Sequence, residues 1–232
     1  MATLNNDLWF LENIDLPHIL CPKKQANMPH SGKTYKKGDY IYLPKDEADK
    51  IFFVSDGRVK IGSIGDNGKE VTKVILTKGE VFGELALISG GQKRHDFAYA
   101  MEDTDLCAVS VNEMKSLFRD HNALSAFFLN LMGSRVMVME GRLESLVFKD
   151  SRTRVIEFLV EQGKKKGQTV GTETLVKRFI THQEIANLTA TSRQTVTTVL
   201  NDLRERNVIT FSRNRLLIRD LVRLEKEVKS LS

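Results

Sequence analysis

The sequence predicts an α+β chain: an antiparallel β-roll, then a long helix, then a small helical domain that ends in a β-hairpin. Three observations predict it. Residues 34–111 hold short strand-like stretches split by turn signals, an apolar heptad seam runs from Leu129, and two capped helices precede a basic hairpin after Ile180. At 232 residues the chain suits one or two domains and is long enough to bury a core.

The front segment, residues 1–31, reads as irregular, with Pro17, Pro22 and Pro29 and little periodicity. It lacks the basic-then-apolar layout of a secretory signal. In KTYKKGDYIYL the residues alternate, with Tyr40 and Tyr42 on one face and Ile41 and Leu43 on the other. Asp56-Gly57 within IFFVSDGRVKIGSI and DNG at 66–68 are hairpin signals. KVILTKGEVF and DTDLCAVSV follow, and strands this short and this regularly spaced argue for a closed antiparallel roll or sandwich.

After about Asn112 the pattern turns helical. Leu129, Met132, Val136, Met139, Leu143 and Leu146 step 3-4-3-4-3, the a/d seam of about three heptads. With Leu129 at a, Arg135 falls at g and Glu140 at e, so Arg135 can reach Glu140 of a parallel partner, and a dimerisation helix is expected. A second helix, TRVIEFLVEQ, is expected to end at Gly163, and KKKGQTVGTETLVKRF reads as a basic loop with strand-like pieces.

In the last third, Thr181 with Glu184 three residues on forms a capping box, opening a helix that buries Ile185 and Leu188. After a short Thr/Ala turn, Ser192 is the N-cap of a further helix with Val196, Val199, Leu200 and Leu203 on one buried stripe. Arg193, Gln194, Thr197, Thr198 and Asn201 then face outward, and none is acidic. Arginine bonds guanine bidentately, glutamine bonds adenine, and threonine offers a hydroxyl or a methyl group to a base edge, so the helix suits a major groove. VITFSRNRLLI follows as a hairpin with Arg213 and Arg215 near its tip, placed to touch phosphates.

Charge agrees with that reading. From Lys149 onward Lys and Arg outnumber Asp and Glu 17 to 10, while residues 1–148 carry a net −2. A basic rear third behind a near-neutral front suits a polyanion partner. No apolar run approaches the ~20 residues of a membrane span. Two cysteines, Cys21 and Cys107, are too few for a disulfide framework and suit a reducing cytoplasm, each as a buried apolar residue.

These stretches bring a family into view. From KKGDYIY through IFFVSDGRVKI, GEVFGELALI, the long helix and THQEIA…TSRQTV, the chain resembles the cyclic AMP receptor protein / fumarate-nitrate regulator (Crp/Fnr) family of bacterial transcription factors. The resemblance implies a cyclic-nucleotide-binding-like jelly roll over 1–120, a dimerisation helix over 121–149 and a winged helix-turn-helix over 150–232. It implies a cytoplasmic homodimer that binds double-stranded promoter DNA at a pseudo-palindromic operator and contacts RNA polymerase, with no membrane and no enzymatic activity. DNA contacts are implied at His182, Ser192, Arg193, Gln194, Thr197, Thr198, Arg213 and Arg215.

An effector site is implied at Gly83, Glu84 and Leu85, which match the family's phosphate cassette, with Arg94 as the cassette arginine and His95 beside it. Met139 and Glu140 of the long helix fall where the family hydrogen-bonds adenine. The effector class is a small anion or a nucleotide, and no further cofactor or metal is implied. Cyclic-AMP binders carry Ser or Thr and then Ala after that arginine, whereas His95 and Asp96 stand here. An ionised Asp repels a phosphate, so another effector, or none, is expected, with Arg94 answered internally by Asp96 or Glu84. Gln194 replaces the family's Glu, and Thr198 stands where cyclic-AMP-type proteins place an Arg, so an operator other than TGTGA half-sites is expected.

Alternatives are a cyclic AMP- or cyclic GMP-responsive regulator, a haem sensor and a regulatory module that binds no DNA. An iron–sulfur cluster would need about four cysteine ligands. Haem needs one or two axial ligands, which the scattered histidines His18, His30 and His121 leave open. The dipeptide His95-Asp96 has no second histidine cluster at metal-ligand spacing, so it does not make a phosphohydrolase.

Overall fold

The computed structural model describes residues 32–65, 68, 70–88 and 93–230, which fall into two compact units, Met1–Phe128 and Leu129–Ser232. The irregular segment expected over 1–31, with Cys21, His18 and His30, lies outside the described residues, as do Asp66 and Asn67 of the second turn signal.

In the first unit, eight strands form two four-stranded antiparallel sheets. One sheet has the order β1 (Gly32–Tyr35), β8 (Thr104–Ser110), β3 (Lys50–Asp56) and β6 (Val81–Phe82). The other has the order β2 (Tyr40–Tyr42), β7 (Phe97–Ala100), β4 (Arg58–Ile64) and β5 (Glu70–Thr77). Their inner faces share a core of Tyr35, Tyr42, Phe52, Val54, Val59, Ile61, Leu76, Phe82, Ala98 and Leu106. Alternation along β3 sends Phe53 to the opposite face. There its ring meets Phe128 at 6.4 Å, at the start of the helix that follows the roll.

Three sequence expectations change here. Asp56-Gly57 does make a turn, with Gly57 at φ 90°, but β3 and β4 belong to different sheets, so it carries the chain across the roll instead of closing a hairpin. A side chain at Gly57 would come within 2.5 Å of the Thr104 hydroxyl, so only glycine fits this crossing. Strands β4 and β5 pair antiparallel, with Ile64 opposite Glu70. Tyr40 and Tyr42 part company because the β2–β7 register shifts between them: Tyr42 is buried and Tyr40 is 48% exposed. Cys107 is buried, as an apolar residue would be, but it is disulfide-bonded and not the free thiol expected. Spacing along a chain does not reveal which cysteines meet in space.

Helix α1 (Val111–Asp120) starts at a capping box between Ser110 and Glu113, and α2 (Asn122–Phe148) follows. Residues of α2 through Phe128 count with the first unit and the rest with the second.

The second unit adds α3 (Ser151–Lys166), β9 (Gly167–Val170), β10 (Glu173–Lys177), α4 (His182–Thr189), α5 (Arg193–Glu205), β11 (Ile209–Ser212), β12 (Arg215–Ile218) and α6 (Leu221–Ser230). The third helix runs past Gly163 to Lys166, because Gly163 lies inward, with Ile218 and Leu221 where its side chain would be. Its last turn is Lys164–Lys166, three cations at the negative end of the helix dipole. The strand order is β11-β12-β10-β9, and α3, α4 and α5 pack around Val155, Ile156, Leu159, Ile185, Val196, Leu200, Leu203 and Leu216. Among the described residues no helix is long and apolar enough to cross a membrane.

Candidate DNA interface and effector site

The DNA-binding region is built by local signals. The Thr181 hydroxyl accepts from the Glu184 amide at 3.3 Å, and Glu184 returns a carboxylate oxygen to the Thr181 amide at 2.9 Å, which fixes the start of α4. This helix ends at Ala190 in the left-handed conformation, φ 50° and ψ 48°. Ser192 then caps α5, accepting from the Thr195 amide at 3.0 Å. Val196, Val199, Leu200 and Leu203 are all buried, so the face bearing Arg193, Gln194 and Thr198 is exposed. Strands β11 and β12 pair with Ser212 opposite Arg215, leaving Arg213-Asn214 as the tip of a wing. Arg213 and Arg215 are both exposed there.

Not every expected contact residue is free to read a base. Thr197 is only half-exposed, and its hydroxyl is 2.9 Å from the Arg193 carbonyl and 2.9 Å from His182 Nδ1. The Ser192 hydroxyl is committed to Thr195. His182 lies against Phe211 of β11, ring centroids 5.7 Å apart. Its pKa is held below the usual histidine value, chiefly by burial and secondly by the Arg193 guanidinium.

Sequence reasoning missed the residues that hold this assembly. Arg154 of α3 donates to the carbonyls of Thr189 and Ala190 at 2.9 and 3.1 Å, clasping the tight turn before the exposed-faced helix. At the other end of that helix, Arg206 grips Glu227 of α6 with two bonds of 2.8 Å. Arg152 of α3 joins both Asp202 and Glu227. These hydrogen bonds, foremost from Arg206 to Glu227 and from Arg152 to Asp202, hold both carboxylates below their usual pKa. Nothing in helical or strand periodicity marks residues so distant in sequence.

In the roll, Gly83 sits at φ 76°, with the Arg94 guanidinium and the Lys50 carbonyl both 3.0 Å from where a Cβ would stand. A one-turn 3-10 helix, Glu84–Leu87, follows. Glu84 is buried, whereas Leu85 is 57% exposed and His95 is exposed. Arg94 is 6% exposed and donates to the carbonyls of Gly83 at 3.1 Å and Lys50 at 2.5 Å. Its guanidinium carbon lies 4.4 Å from the Tyr42 ring centroid. The expected internal ion pair is therefore corrected. Arg94 makes none with a carboxylate among the described residues, because carbonyl oxygens and an aromatic face already surround its charge. Asp96 pairs instead with Lys73, at 3.3 Å. Burial, and then the Asp96 carboxylate, raise the Tyr42 phenol above its ordinary pKa. Met139 and Glu140 are exposed on α2 in the other unit. Among the described residues no group of three His, Cys, Asp or Glu side chains could hold a metal ion.

The cyclic nucleotide-binding domain model matches residues 32–121, and the Crp-like helix-turn-helix domain model matches 153–227. The chain belongs to the Crp/Fnr family of transcription regulators. It is 28% identical to the global nitrogen regulator of Synechocystis sp. over 86% of this chain and 89% of that one. It is 27% identical to the CRP-like cAMP-activated global transcriptional regulator of Mycobacterium tuberculosis over 84% and 87%. Among solved structures, a CooA mutant from Carboxydothermus hydrogenoformans superposes with a TM-score of 0.75 at 26% identity, covering 98% of both chains. Crp/Fnr relatives of nearly equal identity thus carry names from different signalling roles, and identity alone singles out no effector. Both relatives carry the names of regulators.

Proposed function

We propose that the chain is a cytoplasmic homodimeric Crp/Fnr regulator that binds a pseudo-palindromic operator. We assign sensing to residues 1–120, dimerisation to 121–149 and DNA binding to 150–232, with RNA polymerase as a protein partner. One observation carries the DNA reading: a capped helix exposes Arg193, Gln194 and Thr198, with no acidic residue among them, beside a wing tipped by Arg213 and Arg215. Arg193 reads guanine and Gln194 favours adenine, which takes the operator away from TGTGA half-sites. Selection from random duplexes with the purified protein tests this, and recovery of TGTGA half-sites refutes it.

The effector, where one acts, is a small anion or nucleotide other than cyclic AMP. It would meet Gly83, Glu84, Leu85, Arg94 and His95. Against cyclic AMP stands Asp96, held by Lys73: cyclic-AMP binders carry Ala at that position, and a carboxylate two residues from Arg94 opposes the cyclic phosphate there. A thermal-shift screen against cyclic nucleotides and other small anions decides it. Stabilisation by micromolar cyclic AMP overturns the exclusion.

A further inference from the structure

The ring of His182 stands where three elements of the DNA-binding unit meet: its own α4, the exposed-faced α5 and strand β11 of the wing. Two hydrogen bonds bear on its tautomer. The Thr197 hydroxyl lies 2.9 Å from the Arg193 carbonyl, and we assign its single hydrogen to that acceptor. With that assignment the same oxygen, 2.9 Å from His182 Nδ1, accepts from the ring, and Nδ1 carries the proton. In the neutral imidazole Nε2 is consequently a bare lone pair. Nε2 has no hydrogen-bond partner among the described residues, and it is not a buried orphan.

In helix-turn-helix proteins the first helix crosses the DNA backbone. A phosphate oxygen offers no proton, so a neutral ring at that crossing would set one acceptor against another. We propose that His182 is a proton-coupled phosphate ligand: DNA binding draws a proton from solvent onto Nε2, and the resulting N–H donates to the backbone phosphate while Nδ1–H stays on Thr197. This rests on the DNA-binding reading and adds to it a dependence on pH. Arg193 is the charged group whose field reaches the ring. On the same helix Arg204 lies over Phe211, 5.2 Å from its centroid, and on His182's own helix Glu184 is turned back onto Thr181. β11 offers the uncharged Phe211, and the wing cations Arg213 and Arg215 are exposed near the tip. Burial and Arg193 keep the ring neutral in the free protein, and an incoming phosphate reverses that balance.

The test is fluorescence anisotropy with a mixed-sequence duplex at constant ionic strength, from about pH 8 to about pH 6. Wild type is expected to tighten as pH falls, by up to about tenfold per unit for each imidazole that takes up a proton. His182→Gln should bind weakly with that slope removed. His182→Lys, permanently charged, should bind at the upper pH about as tightly as wild type does at the lower. NMR titration of the wild-type ring should show the Nδ1–H tautomer when free and a raised pKa on the duplex. A wild-type affinity flat with pH, a slope retained in His182→Gln, or a ring pKa unmoved by DNA overturns the proposal and leaves DNA binding intact. No wild-type binding at any pH overturns the DNA reading itself.

Discussion

Arg193 is the first residue of its helix and is exposed, yet its backbone carbonyl is tied to the Thr197 hydroxyl, so the side chain departs from a braced position. Arg193→Ala should cost about 1–3 kcal/mol of operator binding and relax one base position. Affinity and base preference both unchanged on a selected operator would remove it from the interface. A neighbouring side chain adds a pH-dependent contribution to stability without DNA. His182 titrates below the ordinary histidine value in the fold, so as pH falls the unfolded chain binds its proton first. The stability this neutral ring contributes is full above the ordinary histidine range and is lost as pH drops through the depressed folded value. The melting temperature of the free protein should decline across that acidic window, and His182→Gln should lose less. An equal decline in the variant would move the effect to other groups.

At the scale of elements, the exposed-faced helix α5 is held at both ends by side chains far from it in sequence. Arg154 fixes the turn before it, and the cluster of Arg152, Asp202, Arg206 and Glu227 ties its last turn to α3 and α6. Glu227 is the least exposed member and receives both arginines. Glu227→Gln should destabilise the unit by about 1–2 kcal/mol, measured by urea unfolding followed by circular dichroism. Glu227 and Asp202 are both depressed, so their contribution is present above the ordinary carboxylate range and is lost as pH falls through their folded values. The variant should therefore lose part of the wild type's stability decline in acid. Of these features, only what is local was legible in the sequence. Capping at Thr181 and Ser192 and the buried stripe of α5 depend on residues three or four apart, so spacing revealed them. Placement of β3 and β4 in separate sheets, the arginine clasps and the Thr197–His182 bond depend on elements brought together by packing. For the same reason the direction of the Arg94 guanidinium, onto two carbonyls and the Tyr42 ring, was not legible in the sequence, where resemblance alone suggested a role for it.

For the whole molecule, function turns on whether α2 is covered. Leu129, Val136, Met139, Leu143 and Leu146 are all largely exposed in the single chain, and Met137, Val138, Val147 and Phe148 widen the apolar surface beyond one heptad seam. An exposed apolar surface of this extent marks an association site. A second copy meets the requirement, because a two-fold pair of exposed-faced helices addresses successive major grooves about one DNA turn (~34 Å) apart. Leu143→Glu introduces two charges facing each other at the seam and returns two leucine side chains to water, about 1.5–3 kcal/mol each. Sedimentation should then show a monomer with unchanged helical content. With only one recognition helix per particle, the variant should lose selectivity for the full operator while retaining weak, salt-sensitive binding to any duplex, since the wing and His182 belong to each subunit separately. A variant that remains dimeric would place the interface elsewhere. A monomer that still binds the full operator as tightly as wild type would show that the two half-sites are not read by a preformed pair.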